Sequence, residues 1–290
     1  MSTAAEVVRP SPRSRVDRRR PTVADAIAWE AAKLSVQIKA RATLLFCLLA
    51  PPLIVVIVKG QQRPPKDSLF GRYVHASGYA VPLLILGFAG QWVLPLLTAI
   101  VAGDIFASED HLGTWKTVLT RSASRAQLFW AKTITALGFA ITAVLVLAAS
   151  TILSSILIVG HQPLVGLTGQ LIPSGTAAGL VVASWATALP PLIAFTCFAI
   201  LLSVHSRIPA FAIAAPVVIG MVMQLVSALG GVEAIRPLLL TTPFEAWHGL
   251  LAQDRFYGPL FSGLAVSLGW SLIAIVWAFF TLRRRDITEE

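Results

Sequence analysis

Charge is scarce in this chain, and so is cysteine. Asp, Glu, Lys and Arg make up 13% of its 290 residues, where an ordinary soluble domain carries about 25%. Cysteine occurs twice, at Cys47 and Cys197, each inside an apolar run, which argues against a structural disulfide and reads as buried packing. There is no G-x-x-x-x-G-K-[ST] loop, so the chain has no visible means of hydrolysing ATP, and no H-E-x-x-H. His75, His111, His161, His205 and His248 fall in loops or at the ends of apolar runs, and no carboxylate lies within a run. That excludes the serine, aspartyl and metal-dependent arrangements an intramembrane hydrolase requires. It also removes the buried ionisable groups on which a secondary transporter depends.

What fills the space is apolar. Hydrophobic residues reach 56% and the mean hydropathy is +0.76, the composition of an integral membrane protein. An ionised side chain at mid-bilayer costs roughly 2.5 to 3.5 kcal/mol, so the charge-free intervals mark the spans. They are 42–58, 73–103, 133–206, 208–232 and 256–282. The third is too long for one crossing of about 20 residues and divides at "GHQPLVGLTGQLIPSGT", Gly160 to Thr176. The expected fold is therefore all-α with six spans, near 41–59, 80–103, 130–159, 177–203, 209–230 and 257–282. With the termini inside, 17 Lys and Arg fall on inner segments and six on outer ones, so the positive-inside rule puts both termini in the cytoplasm.

Residues 1–21 hold "RPSPRSRVDRRRP", a basic tail expected to be disordered against the anionic inner leaflet. No apolar core follows its arginines, so it does not read as a signal peptide. It accounts for much of the net charge of +9 without any nucleic acid. The rest, 22–290, reads as one transmembrane domain. It opens with an interfacial helix over 22–40, started by a Thr22–Asp25 capping box and carrying Val23, Ile27, Ala31, Leu34 and Ile38 on one stripe.

Between two apolar runs stands "GDIFASEDHLGTWKTVLTRSASRAQLFWAK", Gly103 to Lys132. Its acidic residues come early and its basic residues late, as a short helix prefers. Ser124 and Gln127 then form the capping pair of a new helix. A helix, a break and a second helix make a patterned elbow suited to a groove on a soluble partner. An ordinary polar connection is the alternative. On the outer side, "TPFEAWHGLLAQ" places Thr242 at an N-cap, Pro243 at the first helical position and Glu245 three residues past the cap. This helix is too short to span, so it lies at the outer interface or dips in and returns, with Trp247 either part of a gate or an anchor at the headgroups. Candidates for a translocation path are the uncharged polar and bulky groups of proline- and glycine-interrupted spans: Gln91 and Trp92 in the second, Met221 and Gln224 in the fifth. Interhelical hydrogen bonding is the competing reading of both glutamines.

The residues Asp104, Glu109, Gly113, Thr114, Ser124, Arg125 and Lys132, in that spacing, resemble the cytoplasmic loop of ABC-2 type permeases, the membrane subunits of bacterial ABC exporters. The ending "RRRDI", Arg283 to Ile287, is similar to the close of such permeases. The resemblance implies a coupling helix docked on a separate ATPase, with Asp104, Glu109, Gly113, Thr114, Arg121, Arg125 and Lys132 as the coupling residues. Glu109 would pair with a basic group on the ATPase or the interfacial helix, or locally with Lys116 or Arg125, and Gly113 would allow close backbone approach. It further implies Pro243, Glu245 and Trp247 as an outer gate. Two copies, forming a homodimer, would work with two ATPases in the bacterial inner membrane. ATP and Mg would be bound by the partner subunit and none in this chain. The cargo expected is a hydrophobic or amphipathic small molecule or lipid-like substrate, as in multidrug efflux. The alternatives are a non-transporting membrane scaffold or sensor that anchors a cytoplasmic protein, and an intramembrane enzyme.

Overall fold

The computed structural model describes residues 22–62, 65, 68–113 and 124–284. The basic tail, Thr114, Lys116, Arg121 and the last residues of the RRRDI ending lie outside the described residues. Among those described, six helices are long and apolar enough to cross a membrane. The chain is all-α apart from one hairpin of two-residue strands, β1 (Leu164–Val165) and β2 (Leu171–Ile172).

The first helix, α1 (Val23–Val36), starts at the expected capping box. Thr22 Oγ1 accepts the Asp25 N–H at 3.2 Å, and the Asp25 carboxylate accepts the Thr22 N–H at 2.8 Å. Gln37 is extended and turns the chain into the first span, α2 (Ile38–Gly60). The second span is a chain of helical pieces. They are α3 (Ala80–Phe88), a π turn (Ala89–Val93), α4 (Leu94–Ala102) and α5 (Asp104–His111). The π turn has a local cause: Pro95 has no N–H for the carbonyl of Gln91, and Leu94 N–H reaches back five residues to Ala89.

Two boundaries depart from expectation. The second span does not stop at Gly103 but runs on to His111, so Asp104–His111 of the anticipated loop extends a membrane helix. The third span, α6 (Arg125–Ile158), begins five residues earlier than hydropathy indicates, because the Ser124–Gln127 capping box opens it. Both differences arise because charge marks where lipid ends, whereas helical hydrogen bonding continues past it.

The fourth span is α7 (Ser174–Ala186) and α8 (Leu189–His205), broken at Thr187 just before Pro190 and Pro191. The fifth is α9 (Pro209–Ala228). A 3₁₀ turn (Arg236–Leu238) and a ten-residue 3₁₀ helix (Thr242–Leu251) precede the sixth span, α10 (Gly258–Arg284). Helix α8 is central and packs on α10, α4, α6 and α9. By contrast α2, α9 and α10 bury less than a third of their apolar windows. Leu49, Val56, Phe211, Leu225 and Leu272 stand exposed on them, faces that suit lipid or another protein.

Interactions close both ends of the bundle. At one end α1, α5, the start of α6 and the end of α10 meet, with Arg125 donating to the Arg283 carbonyl at 3.4 Å. At the other, Lys59 donates to the Ile158 carbonyl and Ser155 Oγ to that of Gly78 at 2.5 Å. Near the first end, a Cβ on Gly103 would sit 2.4 Å from the Ala212 carbonyl oxygen, so α9 touches the second span there through backbone. Gly103→Ala is expected to force the helices apart and cost about 1 to 3 kcal/mol, read as a lower thermal unfolding midpoint of the purified protein. An unchanged midpoint would show that the contact yields freely.

Candidate functional site

Two polar constellations stand out, one near the His111 end of the second span and one at its π turn. The first lies where α1 crosses α6. Lys132, one side-chain turn into the apolar part of α6, is 1% exposed. Its Nζ stands 3.1 Å from the Glu30 carboxylate of α1 and 3.1 Å from Glu109 Oε1 of α5. Lys33 of α1 also donates to Glu109 Oε1. Farther along the same seam, Lys39 of α2 pairs with Asp104 of α5. The ring of Phe106 lies 6.0 Å from the Lys132 ammonium.

Electrostatics explains the arrangement. Moving an unpaired ammonium out of water costs several kcal/mol, which attraction offsets only with well-placed partners. Here Glu30, Lys33, Glu109 and Lys132 sum to zero charge. The cluster also sets the face that α1 presents. Glu30 and Leu34 are buried, while Val23, Ala31 and Ile38 of the expected apolar stripe are exposed. The helix therefore docks by the edge that carries Glu30 and Leu34 and leaves Val23 and Ala31 outward, open to the interface that the stripe is expected to meet.

The other coupling candidates take different places. Gly113 has φ of +62°, and a Cβ there would meet nothing within 4 Å. Its glycine serves a left-handed turn that ends α5, and no close approach within this chain requires it. Arg125 sits at the start of α6 and reaches α10. Thr114 and Arg121 lie outside the described residues, as does Lys116.

The second constellation lies at the π turn. Gln91 Nε2 donates to Glu245 Oε1 at 2.6 Å, joining a path candidate to a gate candidate. Gln91 is roughly 16 Å along the helix from Ala80, at about 1.5 Å per residue, so the 3₁₀ helix meets the second span well inside its length. Small residues permit this approach. A Cβ on Gly90 would stand 3.3 Å from Phe244, and one on Gly263 3.2 Å from Pro243.

Two expectations about this segment are overturned. Thr242 does not cap it: the N-cap is Thr241, which makes no side-chain cap bond, while the Thr242 hydroxyl donates to the Arg236 carbonyl at 2.6 Å. The preceding 3₁₀ turn supplies that carbonyl and outcompetes the cap. Nor does Trp247 anchor at the headgroups. It is buried, 6.0 Å from the Phe70 ring and 4.2 Å from that of His248. Burial holds the His248 imidazole below its ordinary pKa, so the ring is neutral at neutral pH. Trp92 is half-buried beside Gln91; Met221 and Gln224 lie on α9, exposed and half-buried. Among the described residues, no hydrogen bond joins the α9 pair to Gln91 or Glu245.

Sequence reasoning passed over Glu30, Lys33 and Lys39 as site residues. A signal existed: Lys132 is the last charge before an unbroken apolar stretch to Ser206, and an ammonium so placed needs an acid from elsewhere. Among the described residues no group of three or more His, Cys, Asp or Glu could hold a metal ion.

A family model described as ABC-2 family transporter protein matches residues 26–227, more than two thirds of the chain. No curated protein matches it. The match takes in the whole charge cluster and stops short of the outer 3₁₀ helix.

Replacing Lys132 tests the cluster directly. Lys132→Met strands Glu30 against an apolar wall and is expected to cost about 3 to 5 kcal/mol, seen as a lower unfolding midpoint. Adding Glu30→Gln should recover part of the loss. Equal midpoints for the wild type and Lys132→Met would mean that the charges are not buried together.

Proposed function

The chain belongs to the ABC-2 transporter family, and on that premise we propose that it is the membrane-spanning permease subunit of an ATP-driven exporter in the bacterial inner membrane. The observation that carries the proposal is the Glu30–Lys132–Glu109–Lys33 cluster. It joins a helix at the membrane surface, the end of the second span and the start of the third. A force applied to the segment between His111 and Ser124 therefore reaches two spans and α1 together.

In this reading the α1 end faces the cytoplasm, as the excess of Lys and Arg on inner segments favours. A separate ATPase, which binds ATP and Mg, docks on the segment around 103–132. Asp104, Glu109 and Lys132 transmit its closure, and Gly113, Thr114, Arg121 and Arg125 shape the docking face. Two copies of the chain pair through the uncovered apolar faces of the peripheral spans. The cargo is hydrophobic or amphipathic, a drug-like or lipid-like molecule, passing Gln91, Trp92, Met221 and Gln224. Pro243, Glu245 and Trp247 form the outer gate.

Glu109→Gln keeps the shape of the side chain and removes its charge. The expected outcome, measured on the complex purified from native membranes and reconstituted in liposomes, is a co-purifying Walker-bearing subunit and dye efflux reduced by roughly tenfold, the loss of about 1.4 kcal/mol of coupling. Full efflux by the variant would remove Glu109 from the mechanism. A chain that purifies alone under conditions preserving membrane complexes would favour the scaffold.

A further inference from the structure

The outer 3₁₀ helix brings a carboxylate to a depth where the sequence has none. Glu245 accepts a hydrogen bond from Gln91, a neutral donor that orients the carboxylate and leaves its charge in place. It takes part in no ion pair among the described residues. Its side chain is exposed, so the carboxylate stands open to a partner from outside the bundle.

Two cavities flank this helix and share Pro243, Ala246 and Gly263 as their common wall. One, of about 450 Å³, is lined by Glu245, Glu233, Arg236 and His248. Its other charges largely cancel. Glu233 accepts the Gly231 N–H at 3.2 Å, and Arg236 nearby helps to hold its carboxyl below the ordinary range. With His248 neutral, the charge left over is that of Glu245. The second cavity, of about 340 Å³, is apolar and lies between the Thr187 break and the start of α10. Pro190, Pro191, Leu260, Phe261, Leu264 and Tyr257 line it. Both volumes fall in the range of small-molecule sites.

We propose that these cavities form one two-part site for an amphipathic organic cation, with the ammonium or phosphonium centre at Glu245 and the apolar body against Phe261 and Tyr257. Charge complementarity selects the head. The aromatic rings offer apolar surface to the body of the cation, and the shared wall is only a proline, an alanine and a glycine thick. Glu245 lies beyond the residues that the family model matches, and the gate role that the resemblance implies for it names no ligand. The binding site stands without the exporter reading; its use in choosing cargo rests on that reading. The occupant's chemistry has two sources, an exported cation or a membrane lipid with an ammonium headgroup.

The test uses the full chain in nanodiscs of phosphatidylglycerol, with radiolabelled tetraphenylphosphonium as the probe and triphenylphosphine oxide as the neutral analogue. Saturable binding of the cation at low salt is expected, weakened roughly tenfold by Glu245→Gln, as removal of a complementary charge does. Affinity for the neutral analogue should hold. Glu245→Asp keeps the carboxylate and should restore much of the cation binding that Glu245→Gln loses, which separates loss of charge from loss of fold. Competition by added phosphatidylethanolamine identifies a lipid as the resident cation; binding unaffected by it identifies a cargo site. Equal affinity of the wild type and Glu245→Gln for the cation, or no saturable binding by the wild type, overturns the proposal. Because no nucleotide enters the assay, these outcomes are independent of whether an ATPase drives the protein.

Discussion

A lysine ammonium withdrawn from water has to be met by negative charge, and at Lys132 that requirement organises one end of the molecule. Glu30 and Glu109 meet it from two other helices, and Lys33 balances the second carboxylate. The orientation of α1 follows. Its charged edge is drawn inward together with Leu34, while Val23 and Ala31 face outward. Hydrophobic burial is a weak guide at a membrane surface, where an exposed Val or Ile finds lipid as readily as protein. Ion pairing has no such substitute, so it decides.

The second span links this cluster to the opposite half of the protein. One continuous helix of 32 residues carries Glu109 near one end and Gln91 at its π turn. Between them lie about 27 Å of helix at roughly 1.5 Å per residue. Displacement of α5 would therefore act on the Gln91–Glu245 hydrogen bond through a stiff element, and the π turn is the place where that element can change register. In the proposed exporter this gives a physical route from the ATPase face to the outer gate, with Gly90 and Gly263 keeping the contacts of the 3₁₀ helix close.

Much of the architecture was legible because lipid imposes a simple rule: charge stops where a span begins. The six long apolar helices, the capping boxes at Thr22 and Ser124, and the break near Gly160 all follow from local chemistry. The elements that were not legible depend on tertiary contact. Hydropathy places the start of the third span near 130, close to Lys132, because it prices a lone charge and cannot see Glu30 arriving from 102 residues away. The Thr242 cap failed because the competing acceptor, the Arg236 carbonyl, is available only once the preceding turn has formed. Glu245 reads from the sequence as part of a short helix, but its place beside Gln91 depends on tertiary contact.

The central claim is that α1, α5 and α6 move as one body because buried charges join them. Spin labels at the exposed positions Ala28 on α1 and Trp130 on α6, placed by Ala28→Cys and Trp130→Cys, report the distance between the two helices by pulsed electron resonance. Cys47 and Cys197 are buried and remain unlabelled. In the complex with its ATPase, the account predicts the same narrow distance distribution without nucleotide and with trapped ATP, and a broadened one when Lys132→Met is added. A Ala28–Trp130 distance that shifts with nucleotide in the unaltered cluster would contradict it.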